Sequence, residues 1–506
     1  MSPDGTSSNS YDYIIVGTGI AGSALASRLS QRRPRRPRRP VLLINAGEES
    51  KDKPLVPQLL VALMLRGSEL DWEYESTPQK HLGGRKVYEA AVKALGGGSV
   101  IDYGLWTRGD REDYETWVKK SGDSKWSYDG LLPYSEPQVW ASASGGTPLG
   151  VGDAIKCRSK VERIIATNAY SMKGISIQTN TLVSRVVIEQ QDDKKVATGV
   201  ELANGKINNV QREVVVSAGA LQTPPVLLLS CIGPRGDLAR HGIPQKVESS
   251  KIAQSLFNHM NVKQFWKLRN PEIGAGVGSE KWDDLEYKGA NPQDFIVCQS
   301  ISKTGLEPAL AADEDGVRDD HPFLNGLRCH VETFIQYPAV NKESPAPRPD
   351  GTHIQSVVLT VLPTSRASVR LKSWSPEDIP LIDSNSYATE ADSHNMRKNL
   401  TKVQQVFLDT AAGQQMIVGE TMTKELMALS STSTDDEVDR RVQQTAQSIF
   451  HPAGTAALGY VVHADLKIIG VKGLRVCDAS IFPAPVAAHP MAALYAIAEQ
   501  TVELID

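Results

Sequence analysis

Residues 12–22, Asp12-Tyr-Ile-Ile-Val-Gly-Thr-Gly-Ile-Ala-Gly22, decide the fold. Tyr13 to Val16 is an apolar run suited to a buried strand, Gly17-x-Gly19-x-x-Gly22 follows at once, and a helix is expected through Ala24 to Leu29. Glycines at that spacing let the backbone turn sharply and pass close to a pyrophosphate at a helix N-terminus, where unpaired N–H groups point outward. Val41-Leu-Leu-Ile44 is a second buried strand, which completes a β-α-β unit of the dinucleotide-binding kind. Such units carry an acid on the ribose about 20 residues beyond the glycines. This chain has Asn45 where the second strand ends, able to hydrogen-bond a hydroxyl but without charge.

Between those strands, Arg32 to Pro40 pairs six arginines with prolines, which predicts a solvated, charged loop. Residues 1–10 are expected to be a disordered lead. From Thr181, the stretches Leu182–Ile188, Val196–Leu202 and Ile207–Val216 predict an antiparallel meander, with Asn204-Gly205 at its second turn. The last strand enters Ser217 to Pro224, where Thr223 is expected to cap, and Pro224 to open, a helix over Pro225–Leu229. Further on come strands at Ser356–Leu362 and Ser368–Leu371, then a polar, helix-prone region from Glu390 to Arg441. Leu474–Cys477 predicts a strand leading into Asp478, and a helix from Pro490 is expected to bury Leu494, Ala498 and Ile505.

The chain's 506 residues are enough for roughly three domains and a large core. Lys plus Arg at 55 against Asp plus Glu at 59 leaves −4, no attraction for nucleic acid or an anionic membrane. Five scattered cysteines without CxxC spacing argue against a disulfide framework and against a zinc site, so no metal is expected. The polar N-terminus and the lack of a long apolar run predict a soluble, cytoplasmic protein that acts on a small molecule.

Chemistry is signalled at three further places. Leu95-Gly96-Gly97-Gly98-Ser99 is a second glycine-rich loop, able to present backbone N–H groups to a cofactor. His451 and His489 each stand before a proline near the C-terminus, flank the turn at Asp478, and are acid/base candidates. Val16–Gly22, Asp71-Trp-Glu-Tyr74, Leu95–Ser99 with Trp106–Gly109, Ala218–Pro224 through Ser230–Pro234, His451–Thr455 and Leu474–Ser480, in that order, give the chain a resemblance across most of its length. It resembles the glucose-methanol-choline (GMC) oxidoreductases, a flavoprotein family.

The resemblance implies an α/β (α+β) fold: a Rossmann-like FAD-binding domain with a β-meander, interleaved with a substrate domain built on an antiparallel sheet with helices. It places the FAD domain at residues 11–262 and 441–506, entrance elements around 51–90 and 110–180, and the substrate domain at 263–440. FAD is the implied cofactor. Gly17, Thr18, Gly19, Ile20, Ala21 and Gly22 would meet its pyrophosphate, Asn45 and Ala46 the adenosine ribose, and Val183 and Ala218 would also contact it. Leu95, Gly96, Gly97, Gly98, Ser99, Asp102, Tyr103 and Trp106 would line the flavin. Asp478 and Ala479 would lie along the ribityl chain, and His489, Pro490 and Met491 at the pyrimidine edge.

His451 matches the family's catalytic histidine and His489 its partner. The implied reaction is oxidation of an alcohol to a carbonyl compound by hydride transfer to the flavin, with His451 as base. Some members, versicolorin B synthase and hydroxynitrile lyases among them, catalyse without net redox change. A cyclase, dehydratase or lyase of secondary metabolism using the same histidines is therefore the alternative. The chain departs from the family at Asn45, at Ala91 where Arg is common, at Asp102 where Asn is usual, and at Cys231 in place of Gly. A carboxylate at 102 would oppose negative charge on a reduced flavin unless it is protonated or turned away. The stretch from Leu131 to Thr181 is short for the family, which implies a reduced lid and an open pocket suited to a bulky or polycyclic alcohol.

Overall fold

The computed structural model describes residues 11–31, 39–60, 62–134, 149–160, 162–283, 292–314, 316–317, 320–326, 328–342, 345–422 and 426–505. The expected N-terminal lead and most of the arginine-proline loop lie outside them, as does 135–148 of the shortened stretch.

Two seven-stranded sheets organise the molecule. In the first, Tyr11–Val16 lies between Val41–Ile44 and Ile207–Val216, all parallel, and Leu474–Val476 adds a parallel strand beyond Ile207–Val216. These strands read as unbroken apolar runs because both faces are covered: Ile14, Ile15, Leu42, Leu43 and Val214 to Val216 have no exposed surface. One face is covered by the helices Ile20–Ser30 and Met491–Leu504, tied by Arg28 to Glu499 at 2.8 Å. The expected meander forms as Val183–Gln191, Lys194–Leu202 and Ile207–Val216. Its third strand continues into the parallel sheet, so meander and nucleotide-binding unit share one sheet.

The second sheet is antiparallel, in the order Ile417–Glu420, Met260–Leu268, His353–Thr360, Val331–Gln336, Phe295–Gln299 and Gly150–Asp153, with Gln447–Ser448 also paired to Met260–Leu268. Side chains alternate between its faces. Val262, Trp266 and Val358 pack with Met396 and Leu400 of the helix Glu390–Gln404. Asn261, Lys263, Glu332, Phe334, Gln336 and Val357 belong to the opposite face, which looks toward the first sheet.

Three local expectations change. Thr223 does not cap its helix: it lies inside Thr223–Leu229, and its hydroxyl donates to Asp478 Oδ2 at 2.6 Å. The region Glu390 to Arg441 is not continuously helical, since the edge strand Ile417–Glu420 interrupts it. Leu494 is half-buried and not core, because it faces a cavity between the sheets.

Candidate active site

A cavity of about 390 Å³ runs between the two sheets, and segments from both ends and the middle of the chain line it. Its narrow end is the glycine turn. Gly17 has φ +104°, and a Cβ there would stand 2.2 Å from the Ser217 carbonyl oxygen. A Cβ on Gly97 would lie 2.3 Å from Gly19 Cα, so the two glycine-rich loops pass each other backbone to backbone. Gly19 is the N-cap of Ile20–Ser30, which points that helix's unpaired N–H groups at the cavity. Asn45 is buried beside it, and its Nδ2 has no hydrogen-bond partner. A cradle that excludes side chains, a helix N-terminus and an orphaned amide donor fit a pyrophosphate with an adjoining ribose.

Gly17, Thr18, Gly19, Ile20, Ala21, Asn45, Ala46, Gly97, Gly98, Asp102, Tyr103, Val183, Ala218, Asp478, Ala479, His489, Pro490, Met491 and His451 all line this cavity. Gly22, Leu95, Gly96, Ser99 and Trp106 are not on its wall. Gly22 admits no Cβ because the Gly17 carbonyl oxygen would be 2.1 Å away. The Gly96 N–H donates to the Thr18 carbonyl at 3.1 Å, Leu95 and Ser99 are buried behind the loop, and Trp106 stacks on Tyr495. These five shape the wall from behind.

Asp102 is turned toward protein partners. Its Oδ1 accepts from Gly104 N at 2.8 Å and from the buried Arg163 at 3.0 Å. Burial raises its pKa against the opposing pull of Arg163. Asp478 is an internal brace: Oδ2 accepts from Gly219 N and Thr223 Oγ1, and Oδ1 from Ser480 N. That carboxylate thereby ties the turn after the last parallel strand to the turn after the meander.

At the other end stand the histidines. The rings of His451 and His489 are edge to face with centroids 4.7 Å apart. A third imidazole, His259 just before the strand Met260–Leu268 of the second sheet, places Nδ1 3.0 Å from His451 Nδ1. Burial, followed by the neighbouring His489, pushes His259 down to about 3 and His451 well below the ordinary histidine value. Both rings are therefore neutral near pH 7, and a single proton sits between their Nδ1 atoms. His451 Nε2 is left for the cavity. His489 Nε2 meets the buried Glu332 Oε1 at 2.9 Å, which leaves Nδ1 as its free nitrogen.

The backbone of His451 is fixed as well. Its N–H donates to Asn258 Oδ1 at 2.9 Å, and Asn258 Nδ2 donates to Glu89 at 2.9 Å. Glu89, wholly buried and held also by Ser448 and Ser384, is pushed up by burial to about 7.

His259, Glu332, Asn258, Glu89 and Arg163 escaped the reading of motifs. Glu332 did leave a trace, as a single acid inside the apolar run Val331 to Ile335, where an unpaired carboxylate would be costly. His259 left none.

A family model described as GMC oxidoreductase matches residues 11–169 and 155–261, and a second of the same description matches 363–498. The GMC-type oxidoreductase acuG of Aspergillus aculeatus is 35% identical, with 98% of this chain and 99% of that protein covered. The oxygen-dependent choline dehydrogenase of Brucella anthropi is 27% identical, covering 93% and 91%. Among solved structures, a formate oxidase variant of Aspergillus oryzae, studied for modification of its FAD, superposes with TM-score 0.85 at 25% identity over 98% of each chain.

Proposed function

The chain belongs to the GMC oxidoreductase family, and from that premise we propose that it oxidises an alcohol to a carbonyl compound with His451 as the base. Its cofactor is FAD. Gly17 to Ala21 with Gly97 and Gly98 would hold the pyrophosphate, Asn45 the ribose, Val183 the adenine, and Asp102 with His489 to Met491 the flavin end. When bound, FAD supplies the acceptor for the hydrogen leaving the carbinol carbon.

The chain's own residues supply proton transfer and position. His451 Nε2 takes the hydroxyl proton, a role open to it at neutral pH because burial keeps the ring uncharged. For that, the shared proton must reside on His451 Nδ1, with His259 accepting it. Glu332 orients His489, which faces the same carbinol oxygen across the cavity. Asn258 and Glu89 hold the His451 main chain so that the ring does not drift.

The observation that carries this reading is the His451 ring on the cavity wall, edge to face with His489 at 4.7 Å between centroids and with its Nδ1 3.0 Å from His259 Nδ1. Carbonyl formation from a panel of primary alcohols tests it. Turnover by the FAD-loaded protein and its loss in His451→Ala, with FAD content unchanged, is expected. Turnover near the parent rate in that variant would remove His451 from the chemistry.

A further inference from the structure

We propose that Asn261 and Gln447 form a hydroxyl-recognition subsite beside His451, so that the substrate is an alcohol bearing a second hydroxyl. This rests on the alcohol-oxidation reading and specifies its substrate. Asn261 and Gln447 are directly opposed residues of an antiparallel pair, so their side chains share one face and start about 5 Å apart. Both line the cavity, and both are more than nine-tenths buried, at 2% and 4% exposed.

Each holds an unused polar atom, and the two are opposite in sense. Asn261 Nδ2 donates to the carbonyls of Gln447 and Ser448 at 3.0 and 3.2 Å, which fixes its amide with Oδ1 unpartnered. Gln447 Nε2 is a buried donor without an acceptor. A hydroxyl oxygen both gives and takes a hydrogen bond at a single atom, and so satisfies both. A methyl group or a hydrogen in its place leaves both buried groups unpaired, at a cost of about tenfold or more in affinity.

Binding of product-like aldehydes separates this subsite from the redox step. Benzaldehyde and its 2-, 3- and 4-hydroxy derivatives are titrated into the FAD-loaded protein by calorimetry. The best hydroxy isomer should bind at least tenfold more tightly than benzaldehyde. Gln447→Met should reduce that advantage to about twofold. Asn261→Leu should act likewise if it folds; Gln447→Met decides the matter alone if it does not. An advantage below tenfold, as a fixed water between the two amides would produce, overturns the proposal. So does an advantage that survives Gln447→Met. If hydroxyl selectivity stands but no alcohol is oxidised, the oxidation reading has failed and the subsite has not; oxidation without selectivity is the reverse.

Discussion

In the proposed reaction the chemistry at His451 depends on a charge that burial removes. An ordinary histidine titrates near 6.5, whereas this ring is held well below that value by burial and by its two imidazole neighbours. The group is needed unprotonated, so activity should be retained as pH falls through 6.5 and lost only in more acid solution. A kcat/KM profile whose acid limb is centred at or above 6.5 would contradict the neutral-base assignment. His259→Leu removes the acceptor for the Nδ1 proton; kcat should drop at least tenfold, with His259→Gln, which keeps a hydrogen-bonding group, recovering part of it. A purely structural role for His259 would lower stability and leave the rate per folded molecule unchanged. His451 and His489 were visible in the sequence because each precedes a proline at a break in secondary structure. His259 left no signal and Glu332 only a lone acid in an apolar strand, because their partners lie 192 and 157 residues away and only the folded chain brings them together.

In the proposed reading the glycine turn is the element on which cofactor binding rests. Gly17→Ala forces φ +104° on a residue with a Cβ, against an oxygen 2.2 Å away. The turn should open, and the visible flavin absorbance of the purified variant should be lost while Gly236→Ala, at an exposed glycine off the cavity wall where nothing crowds a Cβ, retains it. A second element joins the two sheets. The helix Arg111–Ser121 begins with a capping box between Asp110 and Asp113, and both carboxylates are paired with the buried Arg328. Arg328→Met should destabilise the protein by about 3 kcal/mol, read from denaturant unfolding, because two buried acids lose their counter-charge. Strands of the parallel sheet and the meander were readable from periodicity and turn residues. Ile417–Glu420 was not, since four residues on a sheet edge carry no period of their own. Thr223 looked like a cap because its hydroxyl has two uses, and Asp478 claims it.

Taken whole, the molecule is two sheets facing one cavity, with the chain crossing between them repeatedly. Strands at 150–153 and 447–448 belong to the antiparallel sheet although both neighbour stretches that serve the first. Motif order disclosed that interleaving; the cross-pairing did not follow from it, because both strands are too short to signal a partner. Since the cavity is lined by residues drawn from both ends and the middle of the chain, FAD bound there should stabilise the fold as one unit. At a hundredfold excess over its Kd the gain is about 2.7 kcal/mol, so a thermal melt should shift upward with added FAD in a single transition. The account as a whole meets its sharpest test in the visible spectrum of the FAD-loaded protein, recorded without oxygen before and after adding an alcohol that it converts. Oxidation with His451 as base requires the flavin absorbance to bleach in step with carbonyl formation, and bleaching to be absent in His451→Ala. A flavin that stays oxidised while the alcohol is consumed would contradict it and assign the histidines to a reaction without net redox change.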